Sequence, residues 1–170
     1  MIMPNTYTVT FAQLPSSLAE LQALPEASLA QPHFAAALTV AALCQYPANP
    51  NACLEMLDYL RGPRPLTPYE KQFIRDRFRG KDYVPRSYFA GTSPDNNYTP
   101  SQPYTVTFFE NAYSRDEYAQ GYIMLHVNSS GADSPRQVKL RLKPSTGQWF
   151  LWEQYLLPDI RAPKALDPWA

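Results

Sequence analysis

Few side chains in this 170-residue sequence have the types and spacing that ligand binding or catalysis requires. Two of them, Glu70 and Arg77, lie in the segment "TPYEKQFIRDRF", which predicts a helix. At about 100° per residue, both fall within the arc that the apolar residues of this segment occupy. An isolated charge on a buried helix face is costly unless it is paired or binds a ligand. Two alternatives follow: a buried ion pair of Arg77 that holds the helix in place, which we favour, or an anion-binding pocket around Arg77.

The segment "GYIMLHV" places a second candidate group on a strand. Tyr122, Met124 and His126 alternate with apolar residues and therefore share one strand face. Histidine titrates near neutral pH, so His126 could act as an acid or base where such a face forms a pocket. In that case Arg77, Glu70, His126 and Tyr122 would surround a small-ligand or catalytic pocket. A histidine whose hydrogen bonds are satisfied within the strand is the alternative that we favour.

Several common chemistries have no recognisable motif in the sequence. The six glycines form no phosphate-binding loop, and no G-x-S-x-G nucleophile motif occurs. The two cysteines, Cys44 and Cys53, match no zinc spacing and are too few for a disulfide scaffold. We therefore expect no metal and no cofactor, and the sequence favours a non-enzymatic interaction or scaffold module.

Charged and aromatic residues indicate where a partner would bind. The formal net charge is zero, which argues against a nucleic-acid binder. Residues 61–86 nevertheless carry eight basic residues against three acidic ones, whereas residues 1–60 contain no Lys or Arg. The candidate partner surface consists of Arg75, Arg79, Lys81, Tyr98 and Trp169. We expect another protein there, with a small molecule as the alternative, and the sequence does not indicate the oligomeric state.

The sequence predicts a cytoplasmic protein. Its beginning, "MIMPNTYTVTF", has neither the basic nor the apolar region of a signal peptide. The longest apolar run, residues 34–44, is shorter than the roughly 20 residues that span a membrane. Two cysteines without a secretory signal are expected to be reduced thiols.

Residues 1–82 predict a mainly helical half with about four helices. Capping signals begin three of them at Ser17, Asn49 and Thr67. The segment "PHFAAALTVAALCQY" is apolar on all sides, so we expect it to be a buried central helix. Residues 83–103, rich in Tyr and Pro, predict a long loop that wraps the domain as an ordered belt.

Residues 104–157 predict a four-stranded antiparallel meander. Apolar and polar residues alternate in "YTVTFFE", "GYIMLHV" and "QVKLRLK", which indicates strands with one solvated face. Residues 149–153 contain a short, continuous apolar run, which predicts a mostly buried strand that is either central or covered on both faces. The N-terminal "YTVTF" nearly repeats residues 104–108, which suggests that the N-terminus adds a strand to the sheet.

Residues 158–170 predict an extended arm, because Pro158, Pro163 and Pro168 prevent a regular element. Trp169, near its tip, either packs into a groove of its own domain, which we favour, or is offered to a partner. Together the segments predict one α+β domain over residues 1–170, with an N-terminal helical layer packed on a C-terminal sheet.

Four segments carry a family resemblance: "GPRPLTPYEKQFIRDRF", "DYVPRSYF", "NNYTPSQPY" and residues 132–170. They resemble an uncharacterised bacterial family, a domain of unknown function seen mainly in Gram-positive anaerobes. The resemblance covers nearly the whole chain and brings no assigned activity or functional residue. At the level of the fold, helices followed by a curved meander are similar to the cystatin-like, or nuclear-transport-factor-two-like, roll. That likeness implies a cone-shaped pocket between the helices and the sheet.

Overall fold

The computed structural model describes residues 5–170, in which one strand precedes four helices and four further strands follow them. The elements are β1 (Thr6–Phe11), α1 (Leu18–Gln22), α2 (Pro32–Cys44), α3 (Pro50–Arg61), α4 (Pro68–Phe78), β2 (Tyr104–Phe109), β3 (Tyr122–Val127), β4 (Arg136–Lys143) and β5 (Gln148–Gln154). The expectation that the sequence begins without a signal peptide concerns residues 1–4 in part, and these lie outside the described residues.

The sheet has five antiparallel strands in the order β1-β2-β3-β4-β5, which confirms the α+β class and shows that the count of four strands is wrong. The additional strand is the N-terminal segment, as its near repeat suggested. It pairs with β2 from Thr6 opposite Phe109 to Phe11 opposite Tyr104. Both segments alternate apolar and polar residues in the same phase, so this register places their buried side chains on one face of the sheet.

Helix α2 forms the centre of the hydrophobic core. All nine residues from Ala35 to Leu43 are buried, which confirms the prediction from the all-apolar segment. The small alanine side chains let α3 approach on one side and strands β1, β3, β4 and β5 on the other. The helix therefore occupies the space between the helical layer and the sheet, where the likeness to a cystatin-like roll implied a pocket.

The predicted capping signals are present at the starts of α3 and α4. The side chain of Asn49 accepts a hydrogen bond from the Ala52 N–H at the start of α3. Thr67 and Glu70 form a complete capping box at the start of α4. These caps satisfy backbone N–H groups that a helix start otherwise leaves without partners.

Strand β5 lies at the edge of the sheet, and the expectation of a central strand or one covered on both faces is wrong. Its outer edge is nevertheless closed by two hydrogen bonds. The Trp149 N–H donates to the Leu29 carbonyl at 2.8 Å, and the Arg64 guanidinium donates to the carbonyl of Trp152. Trp149 and Leu151 are buried on the core side, whereas Trp152 is only half-buried on the opposite face, so β5 belongs to the core on one face.

The belt of residues 83–103 and the C-terminal arm lie against each other. The buried ring of Tyr98 stacks on Tyr83 with ring centroids 5.6 Å apart, and its hydroxyl donates to the carbonyl of Arg161. Lys164 forms an ion pair with Asp95 at 2.6 Å. These contacts order the belt and hold the first half of the arm.

Gly62 ends α3 with a φ of +59°, and a Cβ there would lie 2.5 Å from Cδ1 of Phe150. We expect Gly62→Ala to lower the free energy of unfolding by about 3 kcal/mol, because backbone strain and a steric clash add. The matched control is Gly147→Ala, since Gly147 has a φ of +72° with nothing within 4 Å of a Cβ. Backbone strain alone predicts a loss of about 1 kcal/mol for this control. Urea unfolding of both variants measures the difference, and equal losses would contradict the role of the Phe150 contact.

Candidate functional site

The solvated face of the sheet carries a row of alternating cations and aromatic rings across β3, β4 and β5. We call the row formed by Lys139, Tyr122, Arg141, Trp152 and Arg64 the cation–aromatic row. Lys139 Nζ lies 4.8 Å from the ring centroid of Tyr122, and Arg141 Cζ lies 5.2 Å from the same centroid. Arg141 Cζ is also 4.7 Å and Arg64 Cζ is 3.8 Å from the ring of Trp152. All four distances are within the range of attraction between a cation and an aromatic ring.

Strand register explains how four members of the row come together. Tyr122 of β3 lies opposite Arg141 of β4, which in turn lies opposite Phe150 of β5. Side chains of directly opposed residues share one face of a sheet, so these three lie on the face opposite to that of the buried Leu140 and Leu151. The pairing of β4 with β5 is irregular between Lys139 and Leu140. Leu140 lies opposite Leu151 and Lys139 lies opposite Glu153, so Trp152 has no directly opposed residue.

Arg64, the fifth member, reaches the row from the connection between α3 and α4. Arg61 is buried at the end of α3, and its Nε donates to the carbonyl of Arg64 at 2.9 Å. The Arg61 guanidinium also pairs with Glu70 Oε2 at 2.9 Å. Gly62 passes against the ring of Phe150. These contacts fix the connection, so the Arg64 guanidinium lies over Trp152 and donates to its carbonyl.

Three cations of this face form no ion pair with any residue of 5–170: Arg64, Arg141 and Lys143. They line an open groove of about 350 Å³. Apart from Arg61, which pairs with Glu70, the other residues that line it are apolar and include Phe150 and Trp152. Unpaired guanidinium and ammonium groups beside apolar surface suit a ligand that combines carboxylates with apolar groups.

A second concavity, of about 270 Å³, lies beside the row and contains His126 and Tyr122. Residues 111–117 form its other wall, held by hydrogen bonds from the Met124 N–H to the Ser114 carbonyl and from the Tyr122 N–H to the Glu117 carbonyl. His126 stacks on Phe109, and burial lowers the pKa of its imidazole. The sequence therefore placed Tyr122 and His126 correctly on one face.

Glu110 anchors the loop that forms this wall. It is buried and accepts hydrogen bonds from Arg115 Nε at 2.6 Å and from the Tyr7 hydroxyl. The hydrogen bond from Arg115 is the largest of the effects that hold the pKa of Glu110 below its ordinary value. Burial, followed by the contact with this carboxylate, raises the pKa of Tyr7.

The buried ion pair expected for Arg77 is wrong, and anion binding by Arg77 stays a prediction. Arg77 is exposed and lies over the ring of Phe73, with Cζ 5.1 Å from the centroid. Only Ile74 and Phe78 of α4 are buried, so the buried face of this helix is much narrower than its apolar arc. The buried arginine that pairs with Glu70 is Arg61 instead. Arg77 and Glu70 consequently do not share a pocket with His126 and Tyr122.

The five residues of the expected partner surface are dispersed. Tyr98 is fully buried under the belt, because its ring packs on Tyr83, and it presents no surface to a partner. Lys81 pairs with Asp159, and Arg79 pairs with Asp76 at 3.4 Å. Arg75 is exposed on α4, where it donates to Gln72. Trp169 is 92% exposed, so its expected packing into a groove of its own domain is wrong.

The residues of the row that sequence reasoning missed as site residues are Arg64, Lys139, Arg141 and Trp152. The alternation in "QVKLRLK" did place Lys139, Arg141 and Lys143 outward, but a row of outward charges is ordinary on a solvated strand. The decisive signal is the pairing of these cations with aromatic rings, and it requires the register between β3, β4 and β5.

Neither a metal centre nor a membrane span is visible in the part of the chain that the structure describes. Residues 5–170 contain no group of three or more His, Cys, Asp and Glu side chains that could hold a metal ion. None of the described helices combines the length and the apolar character needed to cross a bilayer. Cys44 and Cys53 are free thiols, and burial raises the pKa of each to about 12.

This geometry defines an α+β domain with a helical core layer and one solvated, cation-rich sheet face. A family model described as a domain of unknown function, DUF6935, matches residues 13–164. The match covers nearly the whole chain, and the chain belongs to this family. No curated protein and no solved structure matched in the corresponding searches, so the comparisons indicate no activity.

The buried Arg61 is expected to matter for stability, whereas Arg77 is not. Arg61→Met should lower the free energy of unfolding by about 2 kcal/mol, because Glu70 and the Arg64 carbonyl lose their charged partner. The matched control, Arg77→Met, removes the same charge from an exposed site and should change stability by less than about 0.5 kcal/mol. Urea unfolding measures both values, and a larger loss for Arg77→Met would contradict the assignment.

The Glu110 anchor predicts a specific pH dependence of stability. Since the folded pKa of Glu110 is lowered, its stabilisation is fully present above the ordinary carboxyl pKa of 4.5 and is lost as the pH falls through the folded value. Glu110→Gln should therefore destabilise by about 1–2 kcal/mol at neutral pH. The difference from wild type should shrink below the ordinary carboxyl pKa.

The control for this experiment is Glu117→Gln in the same loop. Glu117 is exposed, and its ion pair with Lys139 at 3.0 Å should contribute less than about 1 kcal/mol. Thermal or urea unfolding across the acid range provides the comparison. A pH-independent difference between wild type and Glu110→Gln would show that the carboxylate charge is unimportant.

Proposed function

We propose that the chain is a non-enzymatic interaction module whose cation–aromatic row binds an acidic segment of another protein. The observation that supports this proposal is the set of three unpaired cations, Arg64, Arg141 and Lys143, around an apolar groove. Arg64 is half-buried, and such cations usually have acidic partners within their own chain, as the buried Arg61 does with Glu70, whereas Arg141 and Lys143 are exposed. A carboxylate-bearing partner would complete the contacts of the three cations.

The row is held in position before a partner arrives. Stacking over Trp152 restricts the Arg64 guanidinium, and the hydrogen bond to the Trp152 carbonyl restricts it further. Arg141 lies over the rings of both Tyr122 and Trp152, which contact each other edge to face with centroids 5.5 Å apart. Because these side chains are already restricted, they lose less conformational entropy when a partner binds than freely rotating surface cations would.

An acidic protein segment fits the row better than a nucleic acid. Single-stranded nucleic acids bind by stacking their bases on exposed aromatic faces. In this row the rings of Tyr122 and Trp152 already carry the protein's own cations. The guanidinium N–H groups still offer the paired donors that carboxylates accept.

We place the module in the cytoplasm of a bacterium. Both cysteines, Cys44 and Cys53, are free, although they belong to neighbouring helical segments. Free thiols are typical of reducing compartments. The bacterial origin rests on the family resemblance alone.

A small-ligand site is the second candidate function, favoured by the concavity beside His126. Burial lowers the pKa of this histidine, so a neutral imidazole would meet a ligand together with Tyr122. A cystatin-like roll remains our proposal for the fold type. In this chain the ligand would bind on the outer face of the sheet, because α2 fills the inner one.

Binding of a designed peptide tests the proposed function. We expect a fluorescein-labelled peptide of Asp and Glu alternating with Leu and Phe to bind the wild-type chain in fluorescence anisotropy. The double variant Arg141→Gln/Lys143→Gln should bind it about tenfold more weakly, because two charge interactions are lost. The matched control is Lys71→Gln/Arg75→Gln, which removes two exposed charges from α4 without altering the row.

Two outcomes would overturn this proposal. One is an equal loss of affinity in the two double variants, which would indicate attraction by overall charge. The other is tighter binding of an oligothymidylate with the same number of charges, which would indicate a nucleic-acid surface. A steep decrease with salt is expected in every case and does not discriminate.

A further inference from the structure

The two edges of the sheet are treated very differently. The edge of β5 is closed by the Leu29 carbonyl and the Arg64 guanidinium. No corresponding backbone bond from residues 5–170 covers the outer edge of β1. Proteins usually protect an edge strand with charged residues, proline or a bulge, because its unpaired backbone groups invite another strand.

Hydrogen bonding elsewhere in the sheet shows which groups of β1 point outward. The Thr105 carbonyl of β2 accepts from the Ala90 N–H, so Thr105 faces away from β1. In an antiparallel pair, residues with backbone groups directed to the partner alternate with residues directed away from it. Since Thr10 lies opposite Thr105, the backbone groups of Thr6, Thr8 and Thr10 point to the open edge.

Strand β1 has none of the features that prevent edge pairing. Its sequence TYTVTF contains no charge and no proline, and its pairing with β2 is continuous over six residues without a bulge. Thr6, Thr8 and Thr10 are all exposed. Such a strand is an available template for a further antiparallel strand.

We propose that β1 pairs antiparallel with β1 of a second copy, with Thr8 on the two-fold axis. This register places Thr8 opposite the same residue of the partner copy and Thr6 opposite its Thr10. Each outward-directed residue then exchanges both backbone hydrogen bonds. The result is one continuous ten-stranded sheet with a closed, isologous interface.

Side-chain self-complementarity argues for a second copy as the occupant. Thr8 and Thr10 already bond the hydroxyls of Thr107 and Thr105 at 3.0 and 3.2 Å, and opposed threonines extend the same pattern across the axis. On the inner face the register sets the half-buried Tyr7 beside Val9 of the partner copy, a favourable aromatic–β-branched pair. No like charges meet, because residues 5–12 carry none.

Sedimentation velocity of the full chain over a range of concentrations tests the dimer. The wild type should show a monomer–dimer equilibrium. Thr8→Lys should weaken it by at least about tenfold, because two lysines then face each other across the axis. The matched control is Thr107→Lys, since Thr107 is exposed on the same face but lies one strand inside the edge, and it should leave dimerisation largely unchanged.

Charge complementation makes the test independent of any folding defect. A mixture of Thr8→Lys and Thr8→Glu chains should form a mixed dimer, although each variant alone is mainly monomeric. A wild type that stays monomeric at every concentration overturns the proposal and leaves β1 to a different partner. Equal effects of Thr8→Lys and Thr107→Lys, or a failure of the mixture to associate, overturn it as well.

Discussion

A single buried cation, the guanidinium of Arg61, constrains the part of the molecule on which the candidate site depends. A charge in this position requires partners, and it finds them in Glu70 at the start of α4 and in the Arg64 carbonyl. The pKa of Glu70 is lower than that of an ordinary carboxyl group. Burial by itself would raise this pKa, but the hydrogen bonds from Thr67 and the charge of Arg61 outweigh that effect. The pair thus fixes the chain between α3 and α4, and this connection carries Arg64 across the edge of β5.

The same connection explains why the two sheet edges differ. At β5, Arg64 closes the backbone edge and covers one ring of the solvated face. At β1 no backbone hydrogen bond from residues 5–170 reaches the outer edge, and the strand consists of uncharged residues in uninterrupted pairing. Our two proposals therefore assign the binding of charged side chains to one end of the sheet and the extension of its backbone hydrogen bonding to the other. The two proposed interactions use separate surfaces, so each can fail without the other.

Local sequence patterns were sufficient to predict most of the fold, but not the residues of the candidate site. The spacing of Thr67 and Glu70 is enough to predict a capping box. The segment of α2 is apolar on all sides, which predicts a buried helix. The apolar arc of α4 led to the wrong prediction that Arg77 is buried. The arc cannot show that only Ile74 and Phe78 contact the core, whereas Arg77 is exposed. Trp152 and Tyr98 illustrate the same limit: their neighbours are 88 and 63 residues away in sequence, so their exposure follows from tertiary packing.

The contacts that stabilise the β5 edge also hold the row on which the proposed binding depends. Arg64 stacks on Trp152, and its backbone contact uses only some of its N–H donors. The guanidinium is already partly removed from water by the ring, so a carboxylate that approaches has less hydration to displace and meets a field that is less screened. An apolar side chain next to that carboxylate would cover the remaining surface of Phe150 and strengthen the attraction further. In the proposed function, stability of the edge and recognition of an acidic partner would follow from one arrangement, in which the loss of Arg64 would weaken both.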